Sequence, residues 1–258
     1  MPAKRLIPCL DVKDGSVVKG IKFGGLVRVG DPVALAEIYY LQGADEIAFL
    51  DISASLESRP TLLSIVERTA ERVFVPLLVG GGISSVDVAR NVLRAGADKV
   101  SVNTAAVRRP ELLSELAGAF GSQCVVISVD AKEMRAPGSD RGPKTWTAWT
   151  HGGSKDSGLD ALAWVVRAVE LGAGEVLLTS IDKDGTGEGY DLDLLRQVSS
   201  AVGVPVIASG GAGSVADAAS AVSEGGADAL LVASVFHYGQ MPVTEFKRQL
   251  RRMGVPVR

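Results

Sequence analysis

The chain repeats itself once, at half its own length. Val75-Pro76-Leu77-Leu78 runs into Gly81-Gly82, and Val204-Pro205-Val206-Ile207 runs into Gly210-Gly211. Each copy continues with Ser-Val, an aspartate at 87 or 217, and Gly-Ala-Asp at 96–98 or 226–228 leading an apolar run. The glycine pairs lie 129 residues apart and the later segments 130, in a chain of 258. A period this long does not describe a solenoid; it describes a duplicated half-domain. Glu46 and Glu175 occupy matching Gly-Ala-x-Glu segments, and Cys-Leu-Asp11-Val-Lys resembles Ser-Val-Asp130-Ala-Lys. The repeat predicts one domain over 1–258, with halves near 1–121 and 122–258. A strand-end carboxylate and a glycine pair in each half suit a ligand with two similar ends.

Eight short apolar runs, near 5–11, 46–52, 74–79, 99–103, 124–130, 175–181, 204–209 and 228–234, alternate with amphipathic segments. That alternation signals βα units and a parallel sheet. Eight units in this length predict an α/β fold of the (βα)8 or TIM-barrel type, built from two (βα)4 half-barrels; a doubly wound open sheet fits less well. Two connections are long, Gly15 to Gly30 and 132–158. The first reads as a loop. The second contains Thr145-Trp146-Thr147-Ala148-Trp149-Thr150, whose alternation predicts a hairpin. Both follow strand C-termini, where active sites of such barrels are built.

Asp11 and Asp130 end the first and fifth strands, which face each other across an eight-stranded barrel. Parity groups Arg5, Ile7, Cys9 and Asp11 on one face and Cys124, Val126, Ser128 and Asp130 on another. With those faces inward, two carboxylates confront each other at the mouth, one able to donate a proton and the other to remove one. A lone strand-end aspartate more often caps a loop; the symmetric pair favours chemistry. Gly81-Gly82 and Gly210-Gly211 read as phosphate cradles, because glycine lets backbone N–H groups approach an anion. Asn103 and Thr104 complete the first, and Gly185, Thr186 and Ser234 the second. Thr179, Asp184 and Ser209 are further candidate contacts, and Lys19 stands in the loop after the first strand. At the opposite end Arg5, Glu46, Lys99 and Glu175 form a ring of two positive and two negative charges; the plainer reading is that they mark helix-to-strand boundaries. Above them Cys9, Ala48, Ser101, Val126 and Leu230 are expected to point inward.

The remaining features exclude function classes. A net charge of −3 without a basic stripe argues against nucleic acid. No apolar run approaches the length of a membrane helix, and no signal peptide is evident. Two cysteines offer no disulfide framework, which predicts reduced thiols and a cytoplasmic protein. His151 and His237 lack metal-ligand spacing, and Gly80-Gly81-Gly82 lacks a nucleotide fingerprint, so neither metal nor cofactor is expected.

Nearly the whole chain resembles the cyclase subunits of imidazole glycerol phosphate synthase. The resemblance rests on Ile7-Pro8-Cys9-Leu10-Asp11-Val12, Lys19-Gly20, Phe49-Leu50-Asp51-Ile52, Val79-Gly80-Gly81-Gly82-Ile83 and Asn103-Thr104-Ala105-Ala106-Val107. It continues through Leu178-Thr179-Ser180-Ile181-Asp182, Asp184-Gly185-Thr186, Ala208-Ser209-Gly210-Gly211-Ala212-Gly213 and Ala233-Ser234-Val235-Phe236-His237. It implies essential aspartates at Asp11 and Asp130, a loop lysine at Lys19 and gate charges at Arg5, Glu46, Lys99 and Glu175. It implies a glutaminase subunit docked at the N-terminal barrel face, and ammonia passing through the barrel to a bound bisphosphate. That substrate is phosphoribulosyl-formimino-aminoimidazole carboxamide ribonucleotide, and the products are imidazole glycerol phosphate and an aminoimidazole carboxamide ribonucleotide of histidine biosynthesis. The related isomerase of the same pathway shares the half-barrel repeat, the aspartates and two phosphate sites, but needs no ammonia entrance. A non-catalytic or engineered phosphate-binding barrel is a third class. One segment and one position depart from the family: Lys22-Phe23-Gly24-Gly25-Leu26-Val27-Arg28-Val29 stands where an asparagine-rich stretch and an Arg-Asp pair are usual, and Leu78 stands where a smaller polar residue is common.

Overall fold

Eight parallel strands close into a barrel, because each end of the strand order finds a partner. The structure is a computed structural model that describes residues 2–21, 24–52, 59–134 and 144–258. The barrel strands are β1 (Arg5–Lys13), β4 (Ile47–Asp51), β5 (Leu77–Gly80), β6 (Lys99–Val102), β7 (Val125–Met134), β10 (Glu175–Ser180), β11 (Val206–Ser209) and β12 (Ala229–Val232). They neighbour one another in that order, and β12 returns to β1 with Arg5 opposite Ala229. β7 pairs with β10, Glu175 opposite Val126, so no edge is left in the ring.

Helices α1 (Pro32–Leu41), α2 (Arg59–Ala70), α3 (Val86–Arg94), α5 (Glu111–Phe120), α6 (Ala161–Glu170), α7 (Leu192–Ala201), α8 (Val215–Ser223) and α10 (Val243–Arg252) separate or follow the strands. Two short helices, α4 (Thr104–Arg108) and α9 (Ser234–His237), follow β6 and β12 directly. Local chemistry sets where several helices start. Asp31, Ser85, Asp160 and Asp191 each accept a hydrogen bond from the backbone N–H three residues on. Losing such a cap typically costs about 1 kcal/mol.

The core has two parts. Ile7, Cys9, Ala48, Leu78, Val126, Leu177, Ile207, Ala229 and Leu231 fill the barrel interior. A larger cluster, including Leu6, Phe49, Leu116, Val176 and Phe246, lies between the barrel wall and the helices. Leu230 belongs to this outer cluster, so the expectation that it points inward is corrected: Ala229 and Leu231 do. Strands buried on both faces are apolar throughout and give no alternation from which to read parity.

The stretch after the first strand is also corrected, from loop to sheet. β2 (Ser16–Ile21) and β3 (Gly24–Gly30) extend β1 as an antiparallel ribbon, with Asp11 opposite Val18. Lys22 and Phe23 lie outside the described residues. β8 (Thr145–Thr150) and β9 (Lys155–Asp160) extend β7 in the same way, with Asp130 opposite Trp149. Residues 135–143 of that long connection also lie outside. Cys124 ends a 3-10 turn, Ser122–Cys124, rather than sitting in a strand.

The chain ends meet below the barrel. Lys4 bridges to Val257, the Arg258 N–H donates to the Lys4 carbonyl at 3.2 Å, and the Lys4 ammonium lies 2.8 Å from Asp228. Among the described residues no helix is long and apolar enough to cross a membrane.

Candidate active site

A cavity of about 1150 Å³ opens at the C-terminal ends of the barrel strands. Its wall brings together Asp11, Lys19, Gly81, Gly82, Asn103, Thr104, Asp130, Thr179, Asp184, Gly185, Thr186, Ser209, Gly210, Gly211 and Ser234. Of the candidate site residues read from the sequence, Arg5, Glu46, Lys99 and Glu175 lie elsewhere. β1 and β7 are opposite in the ring, so Asp11 and Asp130 face each other across this cavity.

The two carboxylates have different surroundings. Lys19, on β2, is buried with its ammonium 3.4 Å from Asp11, and the Cys9 thiol donates to Asp11 Oδ1 at 3.6 Å. Burial works against the charge of Lys19, yet Asp11 and Asp184 outweigh it and hold the ammonium above its ordinary range. Burial pushes the Cys9 thiol well up, and neighbouring Asp11 adds to this. Asp130 is buried and has no cation beside it among the described residues. Burial, reinforced by the charge of Asp184, raises its carboxyl to about 7; one amide hydrogen bond, from Asn103 Nδ2 at 3.0 Å, opposes the shift. Asp184 is itself raised by burial, with Lys19 opposing and Asp11 adding to the effect.

The glycine pairs hold backbone that other residues cannot adopt. Gly81 has φ +99°, and a Cβ there would lie 2.2 Å from the Asp51 carbonyl oxygen. Gly211 has φ +99°, and its Cβ would lie 2.1 Å from the Gly189 carbonyl oxygen. Side chains are thus excluded from both floors, leaving room for an anion to meet backbone N–H groups. Thr104 opens α4 beside the first pair, and Ser234 opens α9 beside the second.

Several further wall residues were not among the site candidates read from the sequence, although strand parity already turned Ser101 and Ser128 inward. Ser101 and Ser128 point into the barrel below the cavity mouth, and Arg108 and His151 stand on its rim. His237 ties α9 to the first strand: its Nε2 donates to the Cys9 carbonyl at 2.8 Å, and its Nδ1 accepts from the Tyr39 hydroxyl at 2.7 Å. Burial holds the His237 ring down at about 4, and it lifts the Tyr39 hydroxyl to about 12. The partners of His237 are some 200 residues away in the chain, so no local spacing marks it. Arg108 could have been found through the repeat, since it matches Tyr238 at the same offset as Thr104 and Ser234.

At the other end of the barrel interior the four remaining charges close into a ring. Arg5 bonds Glu46 at 2.6 Å and also Glu175; Lys99 bonds Glu46 at 3.0 Å and Glu175 at 2.8 Å. Each cation thus bridges both glutamates. Burial opposes the charge on Arg5, but Glu175 and Glu46 together raise its pKa. The glutamates are 1% and 5% exposed, so removing one cation would leave buried negative charge uncompensated.

Residues 5–242 match a family model described as histidine biosynthesis protein. The chain is also 59% identical over 256 residues to the imidazole glycerol phosphate synthase subunit HisF of Frankia casuarinae, an alignment that covers 99% of each protein. A relative this similar over its full length, together with a family match spanning the whole barrel, means that the chain belongs to the histidine biosynthesis protein family.

Proposed function

We propose that this chain is the ammonia-dependent cyclase subunit of an imidazole glycerol phosphate synthase. It converts phosphoribulosyl-formimino-aminoimidazole carboxamide ribonucleotide to imidazole glycerol phosphate and the aminoimidazole carboxamide ribonucleotide. The observation that carries the reading is the cavity itself: two opposed carboxylates in unlike surroundings, between two glycine floors, above a barrel interior closed by a charged ring. The name of the Frankia relative supports the same reading. The two phosphates rest at Gly81-Gly82 with Asn103 and Thr104, and at Gly210-Gly211 with Gly185, Thr186 and Ser234. Thr179, Asp184 and Ser209 line the space between. Asp130, held near neutral pKa, is the proton donor, and Asp11 beside the Lys19 ammonium is the acceptor. No cofactor enters this reading.

A glutaminase subunit docks at the N-terminal face, where Arg5, Glu46, Lys99 and Glu175 gate the entry of ammonia. The relative's designation as a subunit supports a partner chain. Both cysteines are free, which fits a reducing cytoplasm. The test is direct. The purified chain should consume the bisphosphate with ammonium at alkaline pH, read as loss of substrate absorbance, and should not use glutamine. A folded chain without ammonium-dependent turnover sinks the proposal.

A further inference from the structure

The two glycine floors are not equally equipped. At the repeat offset, Arg108 at the end of α4 matches Tyr238 just beyond α9, and both stand on the wall of the same cavity. One position carries a permanent cation and the other a phenol. Arg108 has no carboxylate at ion-pair distance among the described residues; its partner is a ring nitrogen, with NH2 donating to His151 Nε2 at 2.8 Å. Nε2 therefore acts as acceptor and Nδ1 carries the hydrogen, which it donates to Thr150 Oγ1 at 3.0 Å. The Thr150 hydroxyl donates in turn to the Lys155 carbonyl at 3.2 Å. A guanidinium has five N–H donors and does not lose its proton, so most of its donors and its whole charge remain available.

The turn between β8 and β9 is clasped over α4 by the same residues. The His151 N–H donates to Thr104 Oγ1 at 2.9 Å, leaving the threonine O–H as a donor. Asn103 Nδ2 donates to the Trp149 carbonyl at 3.1 Å while also holding Asp130. His151 adopts φ +55°, a left-handed conformation that these bonds support.

We infer that Arg108, steadied by His151, contacts the phosphate at the Gly81-Gly82 floor and makes it the tighter of the two subsites. The inference rests on the bisphosphate reading above. It has a kinetic consequence: when a bisphosphate is cut into two monophosphates, the product held at Arg108 leaves last. Guanidinium–phosphate pairs are frequently bidentate and among the stronger hydrogen-bonded contacts, whereas among the described lining residues the second floor offers neutral donors, hydroxyl, backbone and the Gln240 amide, with Tyr238 beside them.

Inorganic phosphate is the probe, titrated into the full chain and followed by the amide NMR signals of Gly82 and Thr104 at one floor and Gly211 and Ser234 at the other. The parent should bind phosphate more tightly at the first floor. Arg108→Gln should raise Kd there by about tenfold, the usual scale for a charge-assisted hydrogen bond, and leave the second floor unchanged. Arg108→Lys should recover part of the loss, Tyr238→Arg should tighten the second floor, and His151→Ala should weaken the first by less than Arg108→Gln. Equal affinity at the two floors of the parent overturns the inference, as does no saturable binding at the first. So does a His151→Ala effect as large as that of Arg108→Gln, which would reduce Arg108 to a prop for the turn. The titration needs no turnover. A parent that fails to consume the bisphosphate yet shows the Arg108-dependent asymmetry defeats the proposed function and leaves this inference standing.

Discussion

Asp130 is opposed in its charged form by burial and by Asp184, and supported by a single amide of Asn103. Its folded pKa of about 7 lies above the ordinary 3.8, so the folded state binds the extra proton. The stability this contributes is complete below about pH 4 and is lost as pH rises through about 7. Asp130→Asn should therefore raise Tm relative to the parent at pH 8 and change it little at pH 4, as calorimetry at the two pH values would read. The same protonated form is the one that can donate. Turnover, normalised to free ammonia, should fall as pH climbs through about 7 in the parent. Asp11→Asn and Asp130→Asn should each cut kcat by about 10²–10⁴-fold, the usual worth of a general acid or base. Near-normal rates in both variants would remove proton transfer by these residues from the account. Both aspartates were legible in the sequence because the repeat paired them. Their unequal environments were not, since Lys19, Asn103 and Asp184 reach them from three separate parts of the chain.

The short helix α9 illustrates what a single element needs beyond its own residues. Four residues cannot stabilise a helix alone, and α9 is pinned by His237 to the Cys9 carbonyl and the Tyr39 hydroxyl. With a folded pKa of about 4, the ring stays neutral; the stability it contributes is present above its ordinary 6.5 and lost as pH falls towards 4. Tyr39→Phe keeps the ring packing against Phe236 but strips Nδ1 of its donor. It should lower unfolding free energy by about 1–3 kcal/mol, the penalty for a buried group left unpaired, measured by urea denaturation at pH 7.5. A cost below a few tenths of a kcal/mol would mean that water or another group replaces the hydroxyl. Elements differed in how well they could be read. The barrel strands stood out as apolar runs, but Leu230 was assigned to the wrong face because both faces of β12 are apolar. The β2–β3 ribbon was hidden by Gly15, Gly20, Gly24 and Gly25, which suggest a loop when pairing partners are unknown. The Trp-Thr alternation of β8 was a clear strand signal and did form one.

At the scale of the molecule, the barrel separates a reactive mouth from a charged floor. Lys99 bridges Glu46 and Glu175, so Lys99→Leu leaves two buried carboxylates sharing Arg5 alone. In complex with a glutaminase, the variant should lose glutamine-dependent turnover by several-fold more than ammonium-dependent turnover, since excess ammonia reaches the mouth from solvent. An unchanged ratio of the two rates, with the partner bound normally, would make the ring a strand-boundary feature and nothing more. Its four positions were legible from strand starts and parity; the closed pattern of bonds was not, because it depends on which strands the barrel brings together. We propose further that the halves 1–121 and 122–258 descend from one duplicated unit, as the repeat suggests. The seam below the barrel, where Val257 lies beside Lys4 and Arg258 bonds back to it, has a consequence for chain order. A linker of about six residues, at roughly 3.3 Å each, can join Arg258 to the segment that leads into Lys4. The circularly permuted chain, opened between Gly121 and Ser122, would begin with the second half and end with the first. It should refold to the same barrel with a far-UV spectrum and ammonium-dependent kcat close to those of the parent, because the cut falls between strands and leaves the β1–β12 and β7–β10 pairings that close the ring intact. The order in which the halves are synthesised would then be a matter of history, and the closed ring of strands, not the chain's direction of travel, would define the enzyme.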